Sequence, residues 1–200
     1  MARTATFTSG LLLDAAEQLV ADGGPRGLTV ESLSSATGAP VGSIYHRFPS
    51  RAVLAAELWI RAVERFQAGL IAAVEGPDPV VAGVHAALHT PRWSRRNMPA
   101  ARMLLLYRDV DFLAGDLPEP WRTRAAGLNA PLLAALRAYA RRLYRSAGQS
   151  ELRRVGLAII DIPYGAVHRH LAAGKPIPAQ LDALVAEAAE ALLTNEVHAK

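Results

Sequence analysis

Residues 36–51 read ATGAPVGSIYHRFPSR. Gly38 and Pro40 stand two positions apart, so one helix has to stop here and another can start at once. Glycine supplies the left-handed residue that closes a helix, and proline suits a first helical turn, where its missing N–H costs nothing. Pro49 ends the second segment after about two turns. Within it, Val41, Ile44 and Phe48 fall at helical spacing on one side, while Ser43, Tyr45, His46 and Arg47 fill the other. A helix this short is not stable alone. Neighbours must hold its apolar side, which leaves the polar aromatic side to present outward.

The flanking sequence supplies those neighbours. Leu12, Ala15, Ala16 and Leu19 mark a helix over 9–22, with Thr8 or Ser9 as its N-cap and DGGPRG as its stop. Thr29 opens a short helix that buries Val30 and Leu33; with Ser32 three residues on, it makes only half a capping box, which calls for Glu or Gln there. Ser50 caps a long helix, 51–75, whose inner face carries Leu54, Leu58, Ala62, Phe66 and Leu70. EGPDP at 75–79 is the sharpest break in composition and marks a domain boundary. Further helical patterns cover 79–90, 98–113, 119–147, 150–173 and 178–195. Pro131 kinks or restarts the third of these, and Pro163 frees a carbonyl in the fourth. No stretch alternates like a strand. The expected fold class is all-α.

Charge and composition narrow the function. Without cysteine there is no disulfide framework and no thiolate zinc site. Leu11 to Leu13 is too short a run for a signal segment or a membrane span, so a cytoplasmic protein with no membrane partner is expected. The net charge of +4 permits an anionic partner. Yet residues 1–60 carry four arginines against five acids, and the excess lies later, in Arg92, Arg95, Arg96, Arg102, Arg137, Arg141, Arg142 and Arg145. Any nucleic-acid reading therefore rests on geometry. His85 and His89 share the i, i+4 spacing of metal ligands, but no third ligand joins them, and no cofactor or metal is expected. Gly-x-Ser-x-Gly, a phosphate-binding P-loop and a cysteine nucleophile are all lacking, so an enzyme is not expected.

A helix, a glycine-containing turn and a short helix form helix-turn-helix grammar, in which the second helix enters the DNA major groove. On spacing alone, plain bundle packing is the competing reading. The segment GLTVESLSSATGAPVGSIYHRFPSRAVLAAEL resembles the N-terminal region of TetR-type transcriptional regulators, through Thr29, Gly38, Gly42, Tyr45, Phe48 and Arg51. The resemblance implies an N-terminal three-helix helix-turn-helix DNA-binding domain at 1–50, a linking helix at 51–75, and a larger helical domain at 76–200 for effector binding and dimerisation. It implies that Thr29, Tyr45 and Arg51 hold phosphates and that Val41, Gly42, Ser43 and His46 face bases. The sequence departs from the family pattern in two places. Ala39-Pro40 replaces the usual Val-Ser, so Pro40 brings no hydroxyl to the DNA-facing turn. Arg47 stands where histidine is common and can contact a phosphate or read a guanine.

For the second domain the resemblance implies a ligand pocket and a homodimer. Pocket candidates are Trp93, Met103, Tyr107, Phe112, Trp121, Tyr139, Tyr164 and His168, with Asp161 either a polar anchor or a cap on freed backbone. Leu181, Leu184, Val185, Ala188 and Leu192 form a stripe that serves a dimer interface or packs on its own domain. The function these expectations compose is a repressor that binds a palindromic operator in double-stranded DNA as a dimer and is released by an unknown small-molecule effector. A small helical enzyme or carrier built on the aromatic pocket, or an architectural DNA-binding protein, is the alternative.

Overall fold

The structure, a computed structural model, describes residues 7–194. All regular structure among them is helical. The helices are α1 (Ser9–Gly23), α2 (Val30–Thr37), α3 (Val41–Arg47), α4 (Arg51–Val74), α5 (Pro79–Arg96), α6 (Met98–Leu106), α7 (Val110–Leu113), α8 (Glu119–Gly127), α9 (Ala130–Tyr144), α10 (Gln149–Gly156), α11 (Ile162–Ala172) and α12 (Leu181–Thr194). A 3-10 turn, Pro25–Gly27, precedes α2, and a π segment, Leu157–Asp161, joins α10 to α11.

Two compact units result. One comprises residues 1–63 and 99–126, the other 64–98 and 127–200. Compactness thus divides the chain differently from composition: the EGPDP break is a turn between α4 and α5, while the division itself runs through α4.

In the first unit, Leu12, Leu13, Ala16 and Val20 of α1, Leu33 of α2, Ile44 of α3 and Leu54 and Leu58 of α4 form the core. Arg61 ties α4 to α1, with Nη2 donating to Asp14 at 2.6 Å and to the buried Glu17 at 2.7 Å. Residues 99–126 complete the unit. Phe112 stacks on Trp59 with ring centroids 4.8 Å apart, and the indole N–H of Trp121 donates to Glu57 at 2.9 Å.

The second unit is organised on α5, whose buried face is built from small residues: Ala82, Gly83, Ala86, Ala87, Thr90 and Ser94. They let α12 approach closely with Leu181, Val185, Ala189 and Leu193. At Gly83 a side chain would overlap the Tyr139 hydroxyl and a Leu193 methyl. That hydroxyl donates to the Pro79 carbonyl at 2.8 Å, and burial pushes it well above the usual phenol range. Asp182 at the start of α12 accepts from both Arg92 and Arg95, which staples the two helices.

Several boundaries differ from the sequence expectation, each for a local reason. α5 runs past residue 90 through Pro91, because the buried packing of Pro91 and Ser94 outweighs the lost hydrogen bond. The pattern at 98–113 divides into α6 and α7, with Asp109 capping Val110. The pattern at 119–147 divides at Asn129, and α9 restarts with Pro131 in its first turn. In the pattern at 150–173, Pro163 offers no N–H, and the backbone before it widens into the π segment, where the Ile162 N–H reaches back to Leu157.

Candidate nucleic-acid interface

Thr29 and Ser32 close the N-terminus of α2 reciprocally. Ser32 N–H donates to Thr29 Oγ1 at 3.0 Å, and Thr29 N–H donates to Ser32 Oγ at 3.0 Å. The box is therefore complete and not half made; a serine in the glutamate position is short, but it folds directly back and also donates to the Gly27 carbonyl at 2.8 Å. Thr29 is half-buried, and a hydroxyl that accepts from Ser32 N–H can still donate its own proton.

The turn after α2 is held by side chains that periodicity did not single out. Gly38 closes the helix in the left-handed conformation at φ 69°. Ser34 Oγ donates to the Ala39 carbonyl at 2.7 Å, and Thr37 Oγ1 accepts from Ala39 N–H at 3.2 Å. These two bonds fix the angle at which α3 leaves α2. The signal was present in the sequence as two hydroxyl residues just before a helix-closing glycine, a place where such side chains bond local backbone.

α3 divides into two faces. Ile44 and, at its end, Phe48 are buried. Val41 is not: it is 40% exposed and lies on the outward side, against the expectation that it points in. The first residue of a two-turn helix projects beyond the neighbours that bury Ile44. Tyr45 is 45% exposed, and His46 and Gly42 are exposed beside it. A Cβ on Gly42 would meet nothing within 4 Å, so no protein neighbour requires a glycine there. Pro40 precedes the helix and contributes no side-chain cap.

Two of the expected DNA contacts are engaged within the protein. Arg47 folds back along α3, donating through Nη1 to the Ser43 carbonyl at 3.0 Å and to Ser43 Oγ at 2.9 Å. Arg51 donates through Nε to the Leu28 carbonyl and through Nη2 to the Pro25 carbonyl, both at 2.7 Å. It thereby pins the connection between α1 and α2. Arg51 also lines an open cleft of about 530 Å³ with Gly24, Arg26, Tyr107 and Asp111. Arg26, exposed at its rim, is a cation the sequence reading did not select.

The pocket candidates are divided between the units. Met103, Phe112, Tyr107 and Trp121 belong to the first: Met103 and Phe112 are core residues, Tyr107 lines the cleft beside Gly24, and Trp121 bonds Glu57. Trp93, Tyr139, Asp161, Tyr164 and His168 belong to the second. There Trp93 meets Phe66 edge-on at 5.2 Å, and Tyr139 is core. Asp161 and Tyr164 are exposed, with His168 packed against the Tyr164 ring at 5.3 Å. Asp161 faces outward and does not cap freed backbone with its side chain. The dimer stripe splits as well. Leu181 and Val185 are buried, whereas Leu184 is 61% exposed and Ala188 and Leu192 are half-buried. Among the described residues no three metal-ligating side chains come together, and no helix is long and apolar enough to cross a membrane.

An all-helical N-terminal unit whose third helix is anchored by Ile44 and Phe48 and shows Tyr45 and His46 to solvent has the helix-turn-helix arrangement. Residues 12–58 match the family model described as bacterial regulatory proteins, tetR family. The match spans α1 to the start of α4, so this segment is similar to that family's N-terminal region. Solved regulators share the fold over 92–98% of the chain. The TetR family transcriptional regulator PfmR from Thermus thermophilus is 20% identical, with a TM-score of 0.68 over 98% of this chain and 100% of that one. The fatty acid degradation regulator FadR from Bacillus halodurans is 15% identical, with a TM-score of 0.70 over 94% and 100%. FadR from Bacillus subtilis, solved in complex with stearoyl-CoA, is 15% identical, with a TM-score of 0.70 over 92% and 96%. No curated protein sequence matches the chain.

Proposed function

We propose that the chain is a dimeric repressor that binds a palindromic operator through α3 and is released by a small-molecule effector. The observation that carries the reading is the outward side of α3, where Val41, Gly42, Tyr45 and His46 are exposed while Ile44 and Phe48 are buried. Thr29 and Tyr45 take phosphates, and Val41, Gly42 and His46 face bases. Arg51 adds a phosphate contact through the guanidinium N–H groups left free by the Pro25 and Leu28 carbonyls.

Residues 1–50 act as the DNA-binding domain, 51–75 as the linking helix and 76–200 as the effector and dimerisation part, working in the cytoplasm. Support for the dimer comes from an apolar outer side on the second unit: Leu157, Tyr164 and Leu184 are exposed, and Ile162, Gly165 and Leu184 line an open groove between α11 and α12. Two α3 helices about one DNA turn apart, ~34 Å, then meet successive major grooves. The effector acts by binding better to the arrangement of heads that cannot span those grooves. Because one regulator of this fold holds stearoyl-CoA, a long-chain acyl thioester is the first effector class to test.

Selection of bound sites from random duplex tests the reading, because it reports binding, symmetry and half-site spacing together. A two-fold symmetric site is expected. Recovery of no preferred sequence would remove the regulator role.

A further inference from the structure

The chain's net charge of +4 lies entirely in the second unit. Residues 1–63 and 99–126 hold nine Lys and Arg against nine Asp and Glu, whereas 64–98 and 127–200 hold thirteen against nine. The acid-free run with the most cations is α9 and its flanks. Between Glu119 and Glu151 the chain has six arginines and no acid.

The six are used differently. Arg122 pairs with Glu119, and Arg124 pairs with Glu57. Arg142 donates to the Val74 and Gly76 carbonyls and so closes the end of α4. Arg137, Arg141 and Arg145 are exposed, and among the described residues no ion pair involves them. Their spacing of four places them on one side of α9, about 6 Å apart along its axis. Arg145 occupies the helix C-cap with φ 59°, a left-handed position where glycine is normally found. A charged side chain is kept there despite the backbone cost.

We propose that this arginine stripe on α9 is a second, sequence-independent contact surface for the phosphates of duplex DNA. The choice of DNA as the polyanion rests on the regulator reading above. Chemistry separates it from a membrane surface: the exposed side of α9 offers Ala134 and Ala138 beside the arginines and, of large apolar residues, only Leu133. An interfacial helix needs bulky apolar side chains to insert, whereas phosphate binding needs only the cations. Residues 1–60, with a charge of −1, supply no net electrostatic attraction of their own, so the stripe provides the long-range attraction that brings the protein to DNA before α3 reads it.

The test is the full-length triple variant Arg137→Gln, Arg141→Gln, Arg145→Gln, titrated with a short random-sequence duplex over a range of salt. Because all three side chains are exposed, its melting temperature should equal the parent's. The slope of log affinity against log salt should shrink by about 2.7, and low-salt affinity should drop at least about tenfold. An unchanged slope overturns the proposal. So does loss of binding to phosphatidylglycerol vesicles with duplex binding intact, which would make the stripe a membrane surface. The regulator reading is scored apart from this, by whether the parent selects a site and Tyr45→Ala loses it. A parent that prefers no site but holds random duplex through the stripe sinks that reading and leaves this one standing.

Discussion

The imidazole of His89 on α5 occupies the space that a side chain on Gly69 of α4 would need. The ring is held there from two sides. His89 Nε2 lies 2.9 Å from the Phe66 carbonyl, which can only accept, so Nε2 carries the proton. The Phe66 ring meets it at 5.0 Å. One turn of α4 therefore grips a histidine of the next helix through a carbonyl, an aromatic face and an absent side chain.

Gly69→Ala should destabilise the protein although alanine is the better helix former by about 1 kcal/mol. The added methyl overlaps the ring, and the ring cannot swing away without losing Phe66. A net loss of about 1–3 kcal/mol is expected, read as a lower urea midpoint at unchanged m-value. A higher midpoint would mean that the helices do not approach this closely.

His89 also gives stability a pH dependence. Burial lowers its pKa below the ordinary 6.5, and the Phe66 carbonyl only partly opposes this. The neutral ring is the folded form, whereas the unfolded chain takes up a proton near 6.5. Stability is thus present above that value and lost as the pH falls from it through the folded-state pKa. Unfolding midpoints at pH 8 and pH 5 should show the drop, and His89→Asn should reduce it. An equal drop in the variant would assign the effect to other groups.

How much of this was legible in the sequence depended on whether the signal was periodic. Ile44 and Phe48 repeat at helical spacing, so their burial could be read directly, and Tyr45 and His46 are exposed by the same rule. Val41 broke the rule because a helix end is not covered as its middle is. Arg51 was invisible as a brace: its carbonyl partners lie 23 and 26 residues earlier, and nothing in composition announces a side chain bonding distant backbone. The α12 stripe is divided for a related reason. Leu181 and Leu184 sit on opposite sides of a boundary drawn by α5, and only the small residues of α5 decide where it falls. The mixed aromatic set could not be grouped at all, since hydrophobicity does not say which compact unit a residue joins.

Arg61 supports a nearly buried carboxylate. Hydrogen bonds to Glu17 and Asp14 raise its pKa although burial alone would lower it. Arg61→Ala leaves Glu17 in the core without this partner and should cost about 2–4 kcal/mol, measured by thermal or urea unfolding. Arg61→Lys should recover only part, because an ammonium cannot span both acids and the Gly10 carbonyl as the guanidinium does.

On α3, stability and binding should move in opposite directions. Gly42→Ala places a methyl in open space and should raise stability by about 0.5–1 kcal/mol. The same methyl stands where DNA would approach, so operator affinity should fall. Tyr45→Ala should leave the melting temperature within a degree or two and abolish the gel shift, since its ring is 45% exposed. Unchanged affinity in both variants would mean that another surface reads the DNA.

Arg51 separates two roles that an alanine substitution would confuse. Its Nε and Nη2 brace the Pro25 and Leu28 carbonyls just ahead of Thr29, so it sets the position of the α2 N-terminus. Its remaining N–H groups are available to a phosphate. Arg51→Lys keeps the charge but cannot reach both carbonyls, and should lower stability by about 1 kcal/mol and weaken operator binding while leaving the salt slope unchanged. Arg51→Gln removes the charge too, and its salt slope should fall by about 0.9, the value of one phosphate contact. If the slope is the same in both variants and in the parent, Arg51 is a brace alone, and the phosphate beside it belongs to Thr29 or Tyr45.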